Sequence, residues 1–146
     1  MNERRSHSIL FQGLRKLKGQ KMGDKKYFYK ATILRVIDGD TLDCFLDVGF
    51  DIQLKQRLRL AGINTPESRT KDKREKKLGL EAKEFTKKFV KDKETLIHTI
   101  KKGKFGRLLC EVFVNGKSLN KTLVKKGLAR EYFGGKRTSW FHKKGE

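Results

Sequence analysis

The stretch Leu58-Arg59-Leu60-Ala61-Gly62-Ile63-Asn64-Thr65-Pro66-Glu67 begins as a strand and ends as a carboxylate on a stiff corner. On its N-terminal side the residues alternate from Asp51 onward. Ile52, Leu54, Leu58 and Leu60 share one face, and Asp51, Gln53, Lys55, Arg57 and Arg59 share the other. A period of two predicts a half-buried β-strand with Arg59 on its wet face. On the C-terminal side Ala61-Gly62 permits a bend, and Pro66, the only proline of the chain, fixes φ and removes a ladder donor. Glu67 is thereby held on the same short rigid segment as Arg59. A guanidinium and a carboxylate so placed in a very basic chain point to chemistry on a phosphate.

Around this stretch the chain reads as a small barrel. Tyr27, Phe28 and Tyr29 lead into a β-rich run that breaks at Asp38-Gly39-Asp40, and Thr41 to Val48 forms a second strand before the turn at Gly49. With the strand ending at Leu60 these make a three-stranded meander. The segment from Glu67 to Lys77 is almost wholly polar and reads as a mobile loop. From Gly79 to Val90 the apolar period lengthens, with Leu78, Ala82, Phe85 and Phe89 on one helical stripe. Glu94 to Ile100 is a fourth strand. Arg107 to Val114 is a fifth, turning Leu108, Cys110, Val112 and Val114 inward and ending at Asn115-Gly116. Ser118 caps a helix through Leu119, Leu123 and Val124 that Gly127 terminates. The expected class is α+β, mainly β: a five-stranded OB-fold barrel with two to three packed helices. Residues 1–25 read as a basic flexible tail, residues 26–134 as the domain, and residues 135–146 as a short C-terminal tail.

Composition narrows the partners. Among 146 residues, 37 Lys and Arg against 17 Asp and Glu leave a net charge of +20, a field that draws in nucleic acid. Cys44 and Cys110 sit in apolar strands without zinc-ligand spacing and read as buried core thiols. The chain shows neither the apolar run of a signal peptide nor that of a membrane helix, so the expectation is an intracellular, monomeric protein with no membrane partner. His7, His98 and His142 are scattered and are assigned no role.

Four motifs stand in order: Asp38-Gly39-Asp40-Thr41; Arg59 through Glu67; Lys104-Phe105-Gly106-Arg107; and Leu119-Asn120 through Gly127-Leu128-Ala129-Arg130. With these motifs the chain resembles the staphylococcal nuclease (thermonuclease) family over roughly residues 28–133. The resemblance implies a calcium-dependent, sugar-nonspecific endonuclease that cuts DNA and RNA to 3′-phosphate and 5′-hydroxyl ends. It implies that Glu67 is the general base and that Arg59 and Arg107 are the phosphate-binding arginines. It places a metal at Asp40, with Thr65 contributing its backbone carbonyl and Asn64 standing where the family has a second carboxylate. It also places a mobile loop over Ser68 to Lys77.

The residues support the same chemistry. Hydrolysis of a phosphodiester needs a positioned water, a group to take its proton, and positive charge on the phosphoryl oxygens. Oxygen ligands without a His or Cys cluster favour calcium or magnesium over zinc. Asn64 removes one negative charge, so a weaker site is expected, open to magnesium or manganese. Gly103 is a smaller departure, since an acidic residue commonly precedes the Lys-aromatic-Gly-Arg motif. Lys104, Phe105, Tyr132 and Phe133 are candidate substrate contacts, the aromatics as base-stacking platforms or as barrel-end packing. Nothing resembles a base-reading helix, so DNA and RNA are expected to bind through phosphates and unstacked bases, single strands preferred. The plainer readings are an Asp-Gly turn, a solvated Arg59–Glu67 pair and an ordinary basic hairpin. The alternative function is a catalytically weakened, nucleic-acid-binding module of the same family.

Overall fold

The computed structural model describes residues 27–137 and 140. The basic tail expected over residues 1–25 lies outside them. Eight strands and two α-helices are present among the described residues: β1 (Tyr27–Asp38), β2 (Thr41–Asp47), β3 (Gln53–Leu60), β4 (Ile63–Asn64), α1 (Lys73–Val90), β5 (Thr95–Lys102), β6 (Leu108–Val114), β7 (Lys117–Ser118), α2 (Leu119–Lys125) and β8 (Arg130–Glu131). A short 3₁₀ turn, Lys104–Gly106, joins β5 to β6.

The five long strands run in the order β3-β2-β1-β5-β6, and a parallel pairing of β3 with β6 closes them into a barrel. β1 makes closure possible because it serves two partners. Its first half, Tyr27 to Ala31, pairs with β5, and its second half, Ala31 to Asp38, pairs with β2. Register shifts at Ile33/Arg35 and Val36/Asp38 bend the strand where the sheet must curl. Leu42, Leu58, Leu60, Ile97, Val112, Leu119 and Leu123 fill the interior and are essentially inaccessible. Cys44 and Cys110 are buried free thiols in the same cluster. The OB-type barrel with helices packed on it is the expected α+β fold.

Two expectations are corrected. Ile52 and Leu54 are about half exposed, at 53% and 48%, so of the four apolar residues of that face only Leu58 and Leu60 are buried. At the other end of β3 both faces are covered, and Arg59 is buried with only 6% of its surface exposed rather than lying on a wet face. The chain's own continuation through β4 and Thr65, together with the Asp40 turn, encloses it.

The second correction concerns the polar segment. Lys73 to Lys77 are the first turns of α1, not loop, so the loop expected over Ser68 to Lys77 ends at Asp72. Asp72 caps the helix by accepting from Arg74 N (2.9 Å) and Glu75 N (3.3 Å), and Glu75 lies in the first turn, where the helix dipole favours it. The face of α1 that is fully buried is Gly79, Ala82, Thr86 and Val90. These small side chains bring the helix close to the barrel, while Phe85 and Phe89 pack partly buried beside them. Ser118 caps α2 by accepting from Lys121 N, and Gly127 follows it with φ +74°, as the sequence predicts.

Candidate active site

The corner Thr65-Pro66-Glu67 is clamped from both sides by the Asp-Gly-Asp turn between β1 and β2. Asp40 Oδ2 accepts from Thr65 N at 3.0 Å, just before Glu67. Asp38 Oδ1 accepts from Ser68 N at 3.1 Å and from the Ser68 hydroxyl, just after it. Ser68 is therefore buried rather than part of a loose loop. α1 presses on the corner from outside. A Cβ at Gly79 would lie 2.4 Å from the Glu67 carbonyl carbon, and one at Gly39 would lie 2.8 Å from the Ala82 Cβ. Thr86 Oγ1 donates to Gly39 O at 2.8 Å and ties helix to turn. With its backbone fixed, Glu67 presents a side chain that is 58% exposed.

Arg59 lies beneath this corner. Its Nη1 pairs with Asp40 Oδ2 at 3.1 Å and donates to Leu60 O at 2.9 Å, and its Nη2 reaches Asn64 Oδ1 at 3.4 Å. The ion pair is thus with Asp40. The partner of Glu67 is Arg137, Nη1 to Oε1 at 3.7 Å, a residue that no sequence motif marks. Burial pushes the Arg59 guanidinium below its ordinary range. Asp40 opposes that effect, and the positive charges of Arg137 and Arg107 reinforce it. Arg59, Arg107 and Arg137 thus offer guanidinium donors to an anion, while the carboxylates of Asp38 and Glu75 accept from the backbone of Ser68 and Glu67.

Arg107 enters from the β5–β6 turn. The parallel pairing sets Leu58 opposite Leu108, so Arg107 stands one residue before that pair on the strand beside Arg59. The turn is tight: Gly103 N donates to Arg107 O at 2.6 Å, and a Cβ at Gly103 would lie 3.2 Å from that oxygen. An acidic side chain there would crowd the turn, a physical reason for the glycine. Phe105 adopts φ +61° and is 92% exposed, with the Arg107 guanidinium 5.8 Å from its ring centroid. A left-handed conformation costs a bulky residue about 1–3 kcal/mol, and such strain is found at ligand-binding positions. Phe133 is 86% exposed over the Gly62 bend, and Tyr132 N donates to Gly62 O at 2.8 Å. Neither Phe105 nor Phe133 packs into the barrel end. Lys104 is exposed beside Phe105 and accepts from Arg107 Nε through its carbonyl at 3.5 Å.

The donor set for a metal is oxygen throughout: the Asp40 carboxylate, Asn64 Oδ1, and Thr65, whose buried Oγ1 has no hydrogen-bond partner. That chemistry fits a hard divalent ion in kind. Its charge is low, since Asp40 is the only carboxylate of the set and already accepts from Arg59, Thr65 N and Thr41 Oγ1. Among the described residues no three His, Cys, Asp or Glu side chains group as metal ligands.

Sequence reasoning missed four supports of the site. Arg137 lies beyond the last motif, Ser68 sits in a polar run, and Gly79 interrupts an apolar stripe without announcing a contact. The fourth, Asn120, is 4% exposed and ties the middle of β6 to the bend that follows β3. It donates to Ala61 O (2.9 Å) and Cys110 O (3.1 Å) and accepts from Val112 N (3.2 Å), fixing the bend that follows Arg59. Its place in the Leu119-Asn120 motif was the available signal. A concavity of about 1120 Å³ lies elsewhere, between β1 and the C-terminal half of α1, and includes none of Arg59, Glu67 and Arg107. No described helix is long and apolar enough to cross a membrane.

Residues 57–144 match the family model described as staphylococcal nuclease homologue. The chain is 34% identical over 103 residues to the thermonuclease of Staphylococcus hyicus, covering 69% of this chain and 58% of that protein. It is 36% identical over 103 residues to the thermonuclease of Staphylococcus intermedius, with the same shares of 69% and 58%. It is 32% identical over 110 residues to endonuclease YncB of Bacillus subtilis, covering 73% of this chain and 50% of that protein. The chain thus spans between half and three-fifths of the length of these curated relatives.

Proposed function

The chain belongs to the staphylococcal nuclease homologue family, and from that premise and the geometry of the cleft we propose that it is a sugar-nonspecific endonuclease. It hydrolyses DNA and RNA phosphodiesters to 3′-phosphate and 5′-hydroxyl ends, acting preferentially on single strands and as a monomer. The observation that carries this reading is the clamped corner: Asp38 and Asp40 fix the backbone on either side of Glu67 and leave its carboxylate facing solvent beside a cluster of arginines.

Glu67 takes the proton of an attacking water, a role worth about 10²–10⁴-fold in rate. As the water oxygen bonds to phosphorus, the bond to the 5′ oxygen breaks, and that oxygen leaves with a proton drawn from solvent. Arg59 and Arg107 bind the phosphoryl oxygens and stay charged at any working pH. Burial and the Asp40 pair hold Arg59 in place, while Arg107 and the exposed Phe105 sit together on the β5–β6 turn. Phe105, Tyr132 and Phe133 offer stacking surfaces at about 1–3 kcal/mol per base, and Lys104 offers a phosphate contact. A calcium ion held by Asp40, Asn64 and Thr65 would supply Lewis-acid polarisation of the phosphate. With Asn64 in that set such an ion would be bound through one carboxylate only, so magnesium or manganese would serve as well.

A second reading, the catalytically weakened binding module, is favoured by one observation. Arg59 lies across Asp40 and Asn64, two of the three members of the metal set, at 3.1 and 3.4 Å. The two readings separate in one assay: incubation of an end-labelled single-stranded oligonucleotide with the full chain in calcium, magnesium, manganese or EDTA, with end-group analysis of the products. Metal-dependent cleavage to 3′-phosphate ends supports the nuclease. Salt-sensitive binding without cleavage in every metal supports the module.

A further inference from the structure

The segment after β8 is folded back on the cleft by contacts that have no counterpart in the motifs. Gly134 and Gly135, with φ of +105° and +92°, reverse the chain, and the Tyr132 hydroxyl donates to Gly135 O at 2.6 Å. The Arg130 guanidinium lies 3.9 Å from the Trp140 ring centroid, and its Nη2 donates to Trp140 O at 3.0 Å. Arg130 itself pairs with Asn64 across β4 and β8. Gly135 and Trp140 are thus tied to Tyr132 and Arg130, next to the strand that carries Asn64, and Arg137 reaches Glu67 at 3.7 Å. The Arg137 guanidinium also lies 5.8 Å from the Tyr132 ring centroid.

Stability does not account for the Arg137–Glu67 pair. The paired side chains of Arg137 and Glu67 are 47% and 58% exposed, and such surface pairs contribute about 0–1 kcal/mol. The arrangement does place a third guanidinium where, like Arg107, it adds to the positive charge felt by Arg59. An incoming phosphate relieves that repulsion and offers Arg137 a better, two-pronged partner than a solvated carboxylate. We propose that Arg137 is a third phosphate-binding arginine of the cleft: it pairs with Glu67 in the free protein and passes to the phosphate of an entering strand, freeing the carboxylate. The proposal rests on the reading of the cleft as a phosphodiester site.

The test is binding of a labelled single-stranded oligonucleotide by the full chain in EDTA, from about 50 to 200 mM salt, where each phosphate contact contributes about 0.7 to the slope of log K against log salt. Arg137→Ala should weaken binding several-fold and reduce the slope by about 0.7, and Arg137→Lys, which keeps the charge, should restore the slope. Lys91→Ala is the control. It removes the same charge just past the C-terminus of α1, whose last residue lies about 16 Å along the helix from Gly79 at 1.5 Å per residue, and should leave the slope near that of the wild type. An unchanged slope for Arg137→Ala, or a loss no different from that of Lys91→Ala, overturns the proposal. A wild-type chain that cuts in no metal would remove the nuclease reading alone, because the slope comparison requires no turnover.

Discussion

Gly79→Ala sets two effects of opposite sign against each other. Inside a helix, alanine is favoured over glycine by about 1 kcal/mol. Here the added Cβ would lie 2.4 Å from the carbonyl carbon and oxygen of Glu67 and 2.6 Å from Ser68 N, where ordinary contact begins at 3.4 Å. Every atom it meets is backbone, and the hydrogen bonds of Asp38 and Asp40 hold that backbone in place. No side chain can swing aside, so helix or corner must move by about 1 Å, at the cost of about 1–3 kcal/mol typical of overpacking. Against the propensity gain, the net destabilisation is about 0–2 kcal/mol. Activity should suffer more than stability, since the displaced peptide carries Glu67 and a misplacement of about 1 Å costs about 10²-fold in rate. Thermal melting and cleavage kinetics on one preparation decide it. The expected result is a slightly lowered melting temperature, about 100-fold lower kcat/KM, and unchanged oligonucleotide affinity. A raised melting temperature with full activity, as helix propensity alone predicts, would show that α1 does not bear on the corner.

Two further predictions concern the scaffold. Asn120→Ala leaves Ala61 O and Val112 N without their buried partners, while Cys110 O keeps its bond from Ala61 N. Two orphaned groups at about 1–3 kcal/mol each should cost about 2–4 kcal/mol once partial hydration is allowed for, readable from urea unfolding. Asp43 is held below its ordinary value of 3.8 chiefly by its hydrogen bond from Arg57, with Arg35 assisting and burial opposing. A depressed folded-state value stabilises above the unfolded value and loses that contribution as pH falls through the folded one. Stability should therefore decline as pH drops below about 4, and Asp43→Asn should flatten that decline in pH-dependent melting.

The barrel was legible in the sequence because its strands obey simple rules. Leu108 to Val114 alternates with one face buried, and Asn115-Gly116 closes it at φ values of +52° and +78°. Ser118 and Gly127 bracket a helix by capping chemistry alone. Where the reading failed, tertiary enclosure overrode a local pattern. Arg59 follows the alternation of β3 correctly, yet the face assigned to water is roofed by Asp40 and the Thr65 corner, 19 residues before and six after it in the chain. Lys73 to Lys77 carry no apolar signal, and only Asp72 hinted that a helix starts there. The candidate site divides in the same way. Asp40, Arg59, Asn64 and Thr65 were identifiable from motif order, and the structure brings them together. Arg137 was not, because it lies beyond the last motif and meets Glu67 across 70 residues of chain, a contact that spacing does not encode.

The most direct measurement is single-turnover cleavage of a single-stranded oligonucleotide, with the protein in excess and in the metal that best supports the wild type, comparing Glu67→Gln. The substitution keeps the corner, its backbone clamps and the arginines, and removes only the proton acceptor. A rate lower by about 10²-fold or more, with oligonucleotide affinity retained, is the predicted result. Cleavage by Glu67→Gln at the wild-type rate would contradict the account.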